Sequence, residues 1–188
     1  MSPKRCFDLA AAAAGLVVLS PVLAALALAV RIESRGPSLH WSRRVGRDNV
    51  IFPMPKFRTM RQGAPDVATH LLADPGQWVT PLGGFLRRTS LDELPQLWSI
   101  LVGHMSLVGP RPALFNQDDL VALRTEAGVH RLRPGLTGWA QVNGRDELPI
   151  PVKVAYDVEY LRRRSFSFDL RILLSTLRTA LSGGGVSH

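Results

Sequence analysis

The sequence predicts an α+β fold carried on a membrane anchor. Three observations predict it. An apolar run of 22 residues lies near the N terminus, two short β-patterned stretches flank a turn-forming tetrad, and the C-terminal part is amphipathic at helical spacing. Three regions follow: an anchor over 1–35, a small mixed domain with a short β-hairpin over 36–150, and amphipathic helices over 151–188.

The anchor comes first. Residues 9–30 carry no charge, and 22 residues suffice to cross a bilayer as a helix. Lys4-Arg5 and Ala27-Leu28-Ala29 resemble signal-peptide features, but the run exceeds the usual core of about 7–15 residues. A plain spanning helix and a re-entrant hairpin remain. Ser20-Pro21 falls at the midpoint. Pro21 removes an N–H and crowds the Val17 carbonyl, which kinks a helix. Ser20 is placed to back-bond to Leu16. Each arm is then roughly 16 Å, about half the hydrocarbon thickness. Both flanks are basic, with Lys4 and Arg5 before and Arg31, Arg35, Arg43, Arg44 and Arg47 after. Basic flanks prefer the cytoplasm, and only a hairpin keeps both there.

Residues 38–44 and 50–60 read as strands joined by Gly46-Arg47-Asp48-Asn49. Pro53 and Pro55 make the second an edge strand. Lys56 and Arg58 share a face by period two, either as an edge charged against aggregation or as a cationic wall for phosphate. Residues 61–77 are polar and read as a loop or short helix.

The chemistry concentrates in residues 89–112, TSLDELPQLWSILVGHMSLVGPRP. Ser90 to Glu93 fits a capping box, and Asp92 is the other candidate N-cap, which would place Pro95 in the first turn. Leu94, Leu97, Trp98 and Leu101 recur at i, i+3, i+4, i+7, predicting one buried helix face. A helix N-terminus keeps carboxylates ionised and attracts anions. The Asp92-Glu93 pair lies between Arg87-Arg88 and Arg111, so capping and chemistry on phosphate are both open. Prolines on both sides of Arg111 restrict its backbone. Residues 118–127 read as an exposed helix. Residues 133–145, RPGLTGWAQVNGR, read as a glycine-containing loop that lets a ligand approach the backbone. Phe166, Leu170, Leu173, Leu174, Leu177 and Leu181 line one face of a tail helix stopped by Gly183-Gly184-Gly185. That face either packs on the core or lies in a bilayer interface beside Arg162-Arg163-Arg164.

Totals narrow the function. The net charge is +8, and 20 of the 23 basic residues are Arg. That balance suits a nucleic acid, an anionic membrane surface or a phosphorylated substrate. A single cysteine, Cys6, excludes an internal disulfide framework. Metalloprotease, Walker A, dinucleotide-binding and nucleophile-elbow motifs are absent. With only 7% aromatics and no recognition motif, a membrane-tethered nucleic-acid binder is disfavoured beside an enzyme. A non-catalytic scaffold docked by its tail helix is the other alternative.

Five pieces together resemble one family. They are the apolar segment with central Ser20-Pro21, KFRTM at 56–60, LDELPQL at 91–97, SLVGPRP at 106–112 and RPGLTGWAQVNGR at 133–145. In this order they look like the bacterial sugar transferase family, in its form of small monotopic phosphoglycosyl transferases. The resemblance implies transfer of a sugar 1-phosphate from a UDP-sugar to polyprenol phosphate with release of UMP. It implies a covalent phosphosugar-aspartyl intermediate, Mg²⁺ as cofactor, no nucleic-acid partner, and a monotopic site at the cytoplasmic face of the bacterial inner membrane. It makes the anchor a re-entrant helix-break-helix turning at Ser20 and Pro21, with membrane lipids around it. Asp92 becomes the nucleophile and Glu93 its partner, both candidates for the metal. Lys56 or Arg58, and Arg111, become phosphate-binding residues. Asp157 matches a later Asp of the family and becomes a further candidate for binding substrate, and Gln141, Asn143 and Arg145 become candidates for nucleotide or sugar. Larger relatives add spanning helices and a sensor-like domain that are not seen in this sequence.

Overall fold

Ser2 and Pro3 start the first helix. The Ser2 hydroxyl accepts from the Arg5 amide at 3.3 Å, and Pro3 stands where an N–H has no helical partner. This helix, α1 (Pro3–Glu33), has 31 residues and is about 46 Å long by its rise. It is long and apolar enough to cross a membrane and compatible with membrane association. In the computed structural model, which describes residues 2–64, 74–144 and 148–181, α1 runs through Pro21 without interruption. The helix-break-helix is thus corrected to one continuous helix with Pro21 inside it. The Ser20 hydroxyl donates to Val17 at 2.8 Å, not to Leu16. Val17 carries the carbonyl that Pro21 cannot serve, so Ser20 supplies the donor the imide nitrogen lacks.

One face of α1 packs on the rest of the chain over its whole length. Ala12, Leu16 and Leu19 meet Phe52, Met54, Leu97, Ile100 and Met105, and Leu23, Leu26, Ala27 and Val30 meet Phe57 and Leu86. Val17, Val18, Val22, Leu28 and Ile32 are exposed. Both ends are tied to the same body. Near the start, Lys4 pairs with Asp169 at 2.6 Å, and Asp8 accepts from the Ser106 hydroxyl at 2.8 Å. Near the end, Arg58 donates to the carbonyls of Ser34 and Arg35, and Glu33 accepts from the Leu82 amide.

The hairpin forms as expected. β1 (Leu39–Val45) pairs antiparallel with β2 (Ile51–Phe57) around a 3-10 turn, Arg47–Asn49, in which Asp48 and Asn49 take positive φ. Trp41 faces Pro55 and Arg43 faces Pro53. The two prolines are two residues apart, so both missing N–H groups point to the same side, away from β1, and the ladder survives.

α2 (Pro75–Trp78) and α3 (Pro81–Thr89) follow, with Thr80 capping α3 through the Gly83 amide at 2.9 Å. The expected helix over the central stretch is instead a 3-10 helix, Leu91–Gln96, leading into α4 (Leu97–Leu101). Ser90 ends α3 in the left-handed region (φ 57, ψ 17) and makes no side-chain cap, so the capping box is not formed. Asp92 lies inside the 3-10 helix and is not its N-cap. Pro95 and the tighter winding turn the buried face, which becomes Gln96, Leu97, Ser99 and Ile100, while Trp98 is 52% exposed.

β3 (Ser106–Val108) pairs parallel with β4 (Gly135–Thr137), a pairing with no signal in so short a pattern. Between them α5 (Asp118–Glu126) buries Leu120 and Arg124, with Val121 half-buried against the cluster that holds Leu120. α6 (Trp139–Val142), α7 (Ile150–Arg163) and α8 (Phe166–Leu181) complete the chain. Phe168 and Ile172 of α8 pack with Val108 and Tyr160. Of the two readings of the stripe, the outward one holds for Phe166, Leu170, Leu174 and Leu177, which are exposed, while Leu173 packs against that cluster. Phe166 meets Phe7 of α1 edge to face at 5.3 Å. The expected glycine stop at 183–185 lies outside the described residues, as does much of the loop expected over 61–77.

Candidate active site

The 3-10 helix delivers Asp92 and Glu93 to different surroundings. The Asp92 side chain is buried, and the 3-10 helix packs against β2, which brings Lys56 in from the strand. Lys56, Arg87 and Arg111 stand close enough to act on the Asp92 carboxylate electrostatically. Burial, with Glu93 beside it, pushes the Asp92 carboxyl up to about 6, and the three cations oppose that shift. Burial, then Arg44 and Arg87, push the Lys56 ammonium down to about 8, and Asp92 and Glu93 oppose. Arg87 is itself lowered by burial, against the pull of Asp92. The Arg87 Nε donates to Thr59 Oγ1 at 2.8 Å, which fixes its approach.

Glu93 turns the other way. Its two oxygens face the two terminal nitrogens of Arg111, at 2.8 and 3.5 Å. Arg111 rides a turn pinned to the segment after Arg133. The Gly109 amide donates to Thr137 at 2.9 Å, and the Gly135 amide to Pro110 at 2.9 Å. Glycine is required here by close approach. A Cβ on Gly135 would lie 2.1 Å from the Gly109 nitrogen, and one on Gly138 would lie 2.1 Å from the Gly109 oxygen. The two glycines therefore admit another piece of backbone, not a ligand, which corrects the reading of this loop.

The expected residues divide clearly. Asp92, Glu93, Lys56 and Arg111 come together. Arg58 does not join them, because its guanidinium is spent on the carbonyls that end α1. Gln141 donates to the Leu136 carbonyl and Asn143 to the Trp139 carbonyl, so both amides brace their own loop. Arg145 lies outside the described residues. Asp157 is 1% exposed and accepts two bonds from Arg124, at 2.6 and 2.8 Å, so a role in touching substrate is corrected to an internal one. Arg87, Thr59 and Arg124 were not singled out as site residues. Arg87 had a signal, lying five positions before Asp92. Thr59 and Arg124 had none, since partners 28 and 33 residues away leave no local pattern.

Among the described residues no three His, Cys, Asp or Glu side chains converge as a metal cage. What the site offers is one buried carboxylate, a second carboxylate held by an arginine, and cations suited to phosphate.

The model of the bacterial sugar transferase family matches residues 1–183. An undecaprenyl-phosphate glucose phosphotransferase of Komagataeibacter xylinus is 39% identical over 95% of this chain and 36% of its own length. A UDP-glucose:undecaprenyl-phosphate glucose-1-phosphate transferase of Caulobacter vibrioides is 40% identical over 95% of this chain and 70% of its own. An uncharacterized sugar transferase of Bacillus subtilis is 40% identical over 98% and 90%. The chain thus spans little more than a third of some relatives and nearly all of another. By a match over nearly its whole length, the chain belongs to the bacterial sugar transferase family.

Proposed function

We propose that the protein transfers a sugar 1-phosphate from a UDP-sugar to polyprenol phosphate, with Asp92 as nucleophile. One observation carries this: a buried carboxylate faces Lys56, Arg87 and Arg111, while its neighbour Glu93 is engaged by Arg111. Burial beside another carboxylate opposes ionisation of Asp92, and such perturbed groups concentrate at working sites.

In the first step an Asp92 oxygen attacks the β-phosphorus of the donor. The P–O bond to UMP breaks, and UMP leaves with the bonding pair. In the second step a phosphate oxygen of the polyprenol phosphate attacks the same phosphorus, and the Asp92 carboxylate is released. Lys56, Arg87 and Arg111 offset the anionic repulsion and the charge that develops on the leaving phosphate. Arg111 is held until then by Glu93, so it meets the phosphate preoriented. The donor set fits Mg²⁺, which is commonly held by one or two carboxylates together with substrate phosphates and water. Asp92 and Glu93 would hold it, and when bound it would neutralise phosphate charge.

The acceptor is a lipid, so the site must meet the membrane surface. Attachment of both ends of α1 to one body argues that both flanks lie on the same side, since a spanning helix separates its ends by about 30 Å of hydrocarbon. The basic flanks favour the cytoplasmic side. This supports a monotopic anchor, with the exposed face of α1 and the outward residues of α8 lying in the interface. Labelling single cysteines at Ser2→Cys and Pro37→Cys, in a Cys6→Ser background, tests it. Access from one side is expected, and access from opposite sides overturns it.

The transfer is tested by offering a panel of UDP-sugars with polyprenol phosphate and Mg²⁺. UMP release that depends on the lipid is expected. No release with any donor, from folded protein in membranes, overturns the reading.

A further inference from the structure

The turn Gly109-Pro110-Arg111-Pro112 poses a mechanical problem. Two of its four residues have no N–H, so at those positions the chain can be held only through its carbonyls. Each carbonyl of the last three residues has a donor. Pro110 accepts from the Gly135 amide at 2.9 Å, Arg111 from Arg124 Nη1 at 2.8 Å, and Pro112 from Arg44 Nη1 at 3.1 Å. The carbonyl of Arg111, the residue that grips Glu93, is therefore held by a side chain from α5.

Arg124 is built for this task. Its Nε and Nη2 both donate to Asp157 Oδ2 of α7, at 2.8 and 2.6 Å, which leaves Nη1 for the Arg111 carbonyl. The guanidinium is planar, so bonds along one edge fix the direction of the remaining nitrogen. Lysine has no such fork. Only 9% of the Arg124 side chain and 2% of Asp157 are exposed. Stability alone explains such a pair poorly, because a buried ion pair is often no better than apolar residues of the same volume.

We infer that Arg124, oriented by Asp157, is a positioning residue for the transfer reaction: by holding the Arg111 carbonyl it sets where the Arg111 guanidinium stands relative to Glu93 and a substrate phosphate. A continuous line runs from Asp157 through Arg124 and Arg111 to Glu93, next to Asp92. The inference rests on the proposed phosphosugar transfer and adds to it a residue that touches neither substrate.

The test is a double-mutant cycle between positions 124 and 111. Arg124→Lys keeps a cation for Asp157 but loses the fork. Arg124→Met with Asp157→Leu removes the pair without stranding a buried charge. For each, UDP affinity and kcat are measured in membranes, in the wild-type and Arg111→Ala backgrounds. In the wild-type background we expect kcat and UDP affinity each to fall about tenfold, with the melting temperature held within about 4 °C. In the Arg111→Ala background the same changes should cost less than about twofold, since the residue being positioned is gone. Equal losses in both backgrounds would mean a merely structural role, and wild-type kcat in both variants would mean none. Should the double replacement not fold, Arg124→Lys alone decides by the same criterion. A wild-type protein that binds UDP but never releases UMP sinks the transfer reading, while the coupling in UDP affinity still judges this one.

Discussion

Two arginine–carboxylate pairs meet at Arg111, one through its guanidinium and the other through its carbonyl, and they differ mainly in burial. In the Glu93–Arg111 pair the side chains are 22% and 32% exposed. In the Asp157–Arg124 pair they are 2% and 9% exposed. The chemistry of pairing is the same. The open pair is free to loosen for a phosphate, because solvent already reaches both partners. The closed pair cannot exchange without leaving a buried charge alone. One pair is thus suited to work on substrate and the other to hold the first in place.

The comparison breaks first at the residue the open pair serves. Asp92→Asn should lower turnover at least about 10³-fold, because the amide is neither anionic nor a competent nucleophile. The same variant should melt higher than the wild type at pH 8. The folded-state carboxyl is pushed up to about 6, above its ordinary value, so ionising it disfavours the fold. That penalty is absent below the ordinary carboxylate range, grows toward pH 6 and is constant above it. The gap in melting temperature between variant and wild type should follow that course.

Next in size is Arg111→Ala, expected to cost about 10²–10³ in kcat, in line with removal of a donor aimed at developing charge. Smaller again is the effect of pH on kcat/KM. Asp92 must be ionised, so the rate should rise through about pH 6, and Lys56 must be charged, so it should fall through about pH 8. Lys56→Arg should remove the alkaline limb. Added Mg²⁺ should move the acid limb down, since a cation favours the ionised carboxylate.

A sharper contrast lies two residues apart on one segment. Lys56→Met should lower kcat/KM roughly 10–100-fold, as loss of a charged contact to phosphate. Arg58→Ala should leave KM for the UDP-sugar unchanged and lower stability by about 1–3 kcal/mol, because it frees the carbonyls at the end of α1. A Lys56→Met protein with normal kinetics would place the phosphate grip elsewhere.

These pairs also mark what the sequence made legible. The hairpin, the apolar helix and the meeting of Asp92, Glu93, Lys56 and Arg111 could be read from local patterns and the resemblance. Turn residues and alternation act over a few positions, and so does the Asp-Glu doublet. The partner of Asp157 could not be read, because Arg124 sits in another helix 33 residues away. The role of Arg58 could not be read either, since a strand of period two shows which face a side chain leaves from but not how far it reaches. The buried face of the central helix was misread because Pro95 lies in a 3-10 turn, which advances each side chain by about 120° instead of 100°. The glycines after Arg133 looked like room for a ligand, and the room is filled by the backbone of Gly109.

The most direct measurement is the intact mass of the protein incubated with a UDP-sugar and Mg²⁺ but without lipid acceptor, followed by peptide mapping. An added sugar phosphate on the peptide carrying Asp92, lost when polyprenol phosphate is supplied and never formed by Asp92→Asn, is the expected result. Lipid-dependent UMP release with no added mass at that residue, or an adduct on any other side chain, would contradict attack by Asp92.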